Sequence, residues 1–131
     1  MIERIVKTDD EWRVKLTPEQ FRILRRAGTE PPFDNEYWDN HEDGEYFCGG
    51  CELLLFDSAD KFDSGTGWPS FTKPVAPDVV EEHTDSTFGM VRTEVLCARC
   101  EGHLGHVFTD GPLPTGLRYC MNSGALRFEA R

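Results

Sequence analysis

The sequence has no apolar run longer than Leu53-Leu54-Leu55-Phe56, far short of the roughly 20 residues a membrane-spanning helix needs. It is also poor in positive charge: 14 Lys and Arg stand against 24 Asp and Glu, a formal net charge of -10. A surface of that sign repels phosphate backbones and anionic lipids within a Debye length, so nucleic acid and membrane partners are disfavoured. No internal repeat, low-complexity segment or parallel-crossover pattern interrupts the 131 residues, and a chain of this length supplies one hydrophobic core. A single domain over residues 1–131 is therefore expected, with an N-terminal helix and arm over 1–40 and a β core over 41–131. The segment Ile2-Glu3-Arg4-Ile5-Val6-Lys7 carries charges where a secretory signal would need its apolar core. A soluble, monomeric, cytoplasmic protein is the expectation.

What the chain does have is five cysteines that divide into Cys48-x-x-Cys51, Cys97-x-x-Cys100 and the unpaired Cys120. In a reducing compartment, paired Cys-x-x-Cys units bind metal more often than they form structural disulfides. Two such pairs can surround one tetrahedral ion, and soft sulfur donors favour zinc. Each pair follows apolar residues (Tyr46-Phe47 and Val95-Leu96), as expected of a knuckle at a strand end. A four-sulfur site leaves no open coordination position, so the ion is expected to be structural. Two alternatives compete. A redox dithiol would need only one such motif, and a local set of Cys97, Cys100, His103 and His106 would strand Cys48 and Cys51.

Secondary-structure signals describe a mainly β chain with a short helical segment near its start. Asp9 to Trp12 reads as a polar lead-in. Thr17, Pro18 and Gln20 then mark a helix start with a capping box, Phe21 and Leu24 share a face, and Gly28 is placed to close the helix. Residues 29–40, with Pro31, Pro32, Phe33, Tyr37 and Trp38, suggest an extended arm laid across the domain. Cys48 and Cys51 fall in a tight turn between two strands, residues 61–71 read as loop, and the segments 79–83, 89–96, 107–109 and 117–128 have the composition of antiparallel strands.

If Arg118-Tyr119-Cys120-Met121-Asn122 is a strand, its period of two sends Arg118, Cys120 and Asn122 to one face. A thiol beside a guanidinium reaches its thiolate form more readily than a thiol alone. His103-Leu104-Gly105-His106 follows the second knuckle and supplies imidazoles able to protonate a departing oxygen at neutral pH.

These motifs, with Gly67-Trp68-Pro69-Ser70-Phe71, Arg92-Thr93-Glu94-Val95, Val107-Phe108 and Asp110-Gly111-Pro112, follow in the order found in type B methionine-R-sulfoxide reductases, which the chain resembles from about Trp12 to Phe128. The resemblance implies two antiparallel sheets, a structural zinc on Cys48, Cys51, Cys97 and Cys100, and reduction of the R epimer of methionine sulfoxide, protein-bound or free. It implies Cys120 as nucleophile, with His103, His106 and Asn122 at the sulfoxide oxygen. Trp68 is expected under the substrate's S-methyl group, and Asp110 and Arg118 are expected in the polar surroundings of the substrate. Many members carry a second cysteine where this chain has Thr66. The oxidised Cys120 is therefore expected to be a sulfenic acid that thioredoxin or another external thiol reduces. A reading from another class is a zinc-stabilised β binding module with an aromatic cage and no redox activity.

Overall fold

The computed structural model describes residues 2–86 and 89–131. Two helices come first, α1 (Asp9–Lys15) and α2 (Pro18–Arg26). α2 is the helix its caps predict. Thr17 Oγ1 accepts from the Gln20 N–H at 3.1 Å, the Gln20 side-chain oxygen accepts from the Thr17 N–H at 2.9 Å, and Pro18 fills the first turn. Its end differs from expectation by one residue, since the left-handed position is Ala27 (φ 54°), not Gly28. α1 corrects the polar lead-in. Thr8 and Glu11 form the same reciprocal cap, at 3.2 and 2.9 Å, an arrangement worth about 1 kcal/mol, and the helix buries Trp12.

The strands are β1 (Gly44–Cys48), β2 (Leu54–Asp57), β3 (Lys61–Phe62), β4 (Ser70–Phe71), β5 (Val80–Asp85), β6 (Arg92–Cys97), β7 (His103–Phe108), β8 (Arg118–Met121) and β9 (Leu126–Ala130). They form two antiparallel sheets as the resemblance implies, one of order β2-β1-β9 and one of order β3-β4-β8-β7-β6-β5. Aromatic rings join them. Phe56 of β2 stacks on Phe71 of β4 with centroids 4.4 Å apart and planes 18° from parallel, and Tyr46 of β1 meets Phe71 edge-on at 5.1 Å. Leu55, Val95, Leu104 and Met121 complete this fully buried layer. Burying side chains of this size stabilises the fold by about 1.5–3 kcal/mol each.

Three local expectations change. The loop 61–71 is bracketed by the two short strands β3 and β4. The strand expected over 107–109 starts earlier, at His103, so both histidines lie on β7. The stretch 117–128 is two strands in different sheets, divided by a 3-10 turn at Ser123–Ala125. The physical cause of that division is a remote partner: the N–H groups of Ser123 and Gly124 donate to the Glu30 carboxylate and leave the strand ladder.

Candidate active site and metal clasp

The four knuckle cysteines meet. Cys48 Sγ lies 3.7 Å from Cys100 Sγ, Cys51 Sγ lies 3.5 Å from Cys97 Sγ, and all four sulfurs fall within 4.8 Å of one another, every one buried. A tetrahedron of sulfurs about 2.3 Å from a central ion has edges of roughly 3.8 Å, so this donor set fits a single metal ion. The two knuckles repeat one geometry. In each, the first cysteine's carbonyl accepts from the N–H of a glutamate four residues on, Glu52 at 2.9 Å and Glu101 at 2.8 Å. Both glutamates are left-handed, with φ of 68° and 62°. Because Cys48 ends β1 and Cys97 ends β6, the clasp staples one sheet to the other. α2 covers it: Arg25 donates to the Cys100 carbonyl at 2.8 Å, and Leu24 packs so close to Gly102 that a Cβ there would come within 2.9 Å of its side chain. The local Cys2His2 alternative is excluded, since His103 and His106 bond to carboxylates instead.

The fifth cysteine stands apart. β7 and β8 pair so that His106 lies opposite Cys120 and Phe108 opposite Arg118, and directly opposed residues project from the same face. Gly105 permits this pairing, because a Cβ there would overlap the Cys120 carbonyl. A histidine three residues before His106 would ordinarily face the other way. It does not, because the β6–β7 register shifts: Glu94 pairs with His106 and Leu96 with His103, so Leu104 is an extra, bulged residue. The bulge returns both imidazoles to the face that carries Glu94, with ring centroids 5.4 Å apart.

This face and the loop before β4 enclose a cavity of about 220 Å³. Trp68 and Phe108 form its apolar wall, while Cys120, His106, Asn122, Thr66, Thr29, Arg92 and Arg118 supply its polar groups. Five sequence-predicted residues thus come together: Cys120, His106, Asn122, Trp68 and Arg118. His103 lies on the same face of the sheet but outside the cavity wall, 3% exposed, with Nδ1 2.7 Å from Glu94 and Nε2 buried without a partner. Asp110 also stands outside the wall. It grips Arg118 through two bonds of 2.9 and 3.2 Å, so its connection to the cavity runs through that guanidinium.

Electrostatics around the thiol are opposed. Burial pushes the Cys120 pKa up, while the Arg118 charge and hydrogen bonds from Thr66 and Arg118 pull it down without cancelling the rise. Asp110 holds Arg118 charged and in place, and Arg118 lies 4.4 Å above the Phe108 ring. Burial likewise lowers the His103 pKa, against the pull of Glu94. His106 Nε2 is 2.9 Å from Asp85, which also receives Arg92 at 3.3 Å. Sequence reasoning missed Asp85 and left Glu94 without a task. Strand alternation across β6, which puts Arg92 and Glu94 on one face, was the available signal for Glu94.

A half-buried thiol in a small, part-apolar cavity, with an imidazole opposite and a fixed guanidinium beside it, is the arrangement of a thiol-dependent oxidoreductase. The comparisons specify which kind. The SelR domain model matches residues 16–130. The chain is 61% identical over 125 residues to peptide methionine sulfoxide reductase MsrB of Thiobacillus denitrificans, covering 95% of each chain. It is 58% identical over 126 residues to the protein of that name from Agrobacterium fabrum, covering 96% of this chain and 93% of the other. For the Bradyrhizobium diazoefficiens protein of the same name the identity is 54% over 129 residues, with 98% and 93% covered. The chain belongs to this SelR-domain family, the type B methionine sulfoxide reductases, and is an oxidoreductase. The reading as a redox-inactive binding module is thereby set aside.

Proposed function

We propose that the protein reduces the R epimer of methionine sulfoxide, in proteins and as the free amino acid, with Cys120 as nucleophile. The observation that carries this reading is the placement of Cys120 opposite His106 in a cavity walled by Trp68. Attack by Cys120 Sγ on the sulfoxide sulfur sends negative charge to the oxygen, which His106 protonates and Asn122 helps to hold. The S–O bond breaks as the twice-protonated oxygen leaves as water, giving a sulfonium joined to Cys120 by an S–S bond. Water then attacks the Cys120 sulfur, the S–S bond breaks, methionine departs with that electron pair, and Cys120 is left as a sulfenic acid. The S-methyl group rests against Trp68, a favourable sulfur–aromatic contact. With the attacking sulfur, oxygen and methyl group each given a fixed direction, a tetrahedral sulfur of only one hand fits, and family membership supports R.

The other four cysteines are committed to the clasp, which supports recycling by thioredoxin or another external thiol. The first thiol forms a mixed disulfide with Cys120 and releases water, and a second displaces Cys120 as the free thiol. The clasp ion is zinc in this reading, chosen by its four sulfur donors, and its task is to hold the fold. The protein acts as one domain, a cytoplasmic monomer. Among the described residues no helix is long and apolar enough to cross a membrane.

The test is a single turnover. Reduced protein is mixed with racemic N-acetyl methionine sulfoxide and no recycling thiol. Loss of one equivalent of the R epimer per chain is expected, with sulfenic acid at Cys120 and no intramolecular disulfide. Equal consumption of both epimers, or unchanged turnover by Cys120→Ser, would overturn the assignment.

A further inference from the structure

Glu30 is an acidic side chain only 7% exposed, and the chemistry above does not use it. Its carboxylate takes the N–H of Ser123 on one oxygen and the N–H of Gly124, at 2.9 Å, on the other. Those are the first two residues of the turn that leaves the strand carrying Cys120. Its backbone faces the cavity residues. The Glu30 carbonyl accepts from the Trp68 indole N–H at 2.9 Å, and the Glu30 N–H donates to the Asn122 side-chain oxygen at 3.2 Å. The Asn122 amide group is held from its other side by the Leu104 carbonyl at 3.2 Å. Thr29, the residue before, is itself part of the cavity wall.

Glu30 and its backbone therefore join two regions that are distant in sequence: the indole platform at Trp68, and the end of the catalytic strand with its carboxamide, Asn122 to Gly124. Burying a carboxylate is costly unless its oxygens are satisfied, and here two main-chain donors do so. The environment is poorly solvated, and burial pushes the Glu30 pKa up. A buried charge held by two adjacent N–H groups has little freedom to shift, and the backbone attached to it inherits that constraint.

We propose that Glu30 is a positioning residue for sulfoxide reduction: seated on the Ser123 and Gly124 amides, it fixes the Trp68 ring and the Asn122 amide at the cavity without touching substrate. The inference rests on the sulfoxide-reduction reading above. It differs from a general stabilising role because the energy of the anchor is directed at two particular side chains.

A double-mutant cycle separates the two roles. Glu30→Gln keeps the shape but replaces one accepting oxygen by an NH2 group, which opposes an N–H donor. Its kcat/KM for peptide methionine-R-sulfoxide should fall about tenfold or more, the scale of a lost charge-assisted hydrogen bond. In a Trp68→Phe/Asn122→Ala background, which already lacks the indole N–H and the carboxamide, the same change should cost less than about twofold. The drop in thermal midpoint should be equal in both backgrounds. Glu30→Asp retains the charge but withdraws it by one methylene, and should show the same non-additivity at smaller amplitude; it serves where Glu30→Gln fails to fold. A loss of equal size in both backgrounds, or kcat/KM unchanged by both substitutions at Glu30, overturns the proposal. Failure of the wild-type protein to consume the R epimer would instead overturn the functional reading on which it rests.

Discussion

His106 faces Cys120 directly across the β7–β8 ladder, the imidazole and the thiol projecting from the same side of the six-stranded sheet. In the proposed reaction His106 is the proton donor and Cys120 the nucleophile, an arrangement that serves the oxygen departing as the new bond forms. Replacing His106 with Gln should lower kcat by about 10²–10⁴-fold, the usual contribution of a general acid. Alkylation of Cys120 by iodoacetamide, which needs no acid, should change little. An equal loss in both assays would mean that His106 acts on the thiol and not on the oxygen.

The raised Cys120 pKa fixes the direction of a pH profile. A thiol shifted upward stays protonated through neutrality, so its alkylation rate should climb with pH and show no plateau below the ordinary cysteine value of about 8.5. The Arg118 charge works against the shift. Arg118→Met should therefore move the rise to still higher pH and slow alkylation at neutral pH. Folded-state stability follows the same sign: the neutral thiol is favoured below the unfolded pKa, and that contribution is lost as pH rises through the folded value. Iodoacetamide kinetics followed by mass spectrometry at Cys120 give the readout, and a plateau near neutrality would contradict the assignment.

Thr66 lines the same cavity as Cys120, the place a resolving thiol would have to occupy. Thr66→Cys should therefore form an intramolecular disulfide after one turnover. Free-thiol titration should show two thiols lost per chain in place of one, with no dependence on added reductant. Persistence of the sulfenic acid in this variant would show that the two β-carbons do not approach to bridging distance.

Removal of the clasp metal should unfold the chain. Thiolate–metal binding in small domains is worth roughly 10–16 kcal/mol, comparable to or greater than the whole stability of a domain this size. Metal analysis should give one ion per chain. Chelation under mild denaturant should abolish far-UV dichroism and activity in parallel, and a folded, active apoprotein would show that the sheets hold together without it.

The parts of this molecule that the sequence makes legible are those whose signals are local. Thr17, Pro18 and Gln20 announce α2, the Cys-x-x-Cys spacings announce the clasp, and the pairing of Arg118 with Cys120 depends only on strand alternation. α1 carried an equally local signal in Thr8 and Glu11, which the density of acidic residues disguised as loop. The rest depends on partners remote in sequence. Nothing near Leu104 indicates that it is bulged, because the bulge is defined by the register of β6. Asp110 is expected near the site only through the family resemblance, and nothing in Asp85 indicates that it is spoken for by a cavity side chain. The change of sheet after Asn122 is decided by a carboxylate more than ninety positions away.

The clasp joins strands from both sheets, and Leu126, just past the turn that follows Cys120, pairs with Cys48. The reactive sulfur is thus wired to the metal mechanically and not electronically. Oxidants that strip the ion would leave the surviving molecules working at full speed and reduce only their number. In an assay such damage would register as a shrinking pool of enzyme with an unaltered Michaelis constant, so metal content, not turnover rate, is the proper measure of how much repair capacity a stressed sample retains.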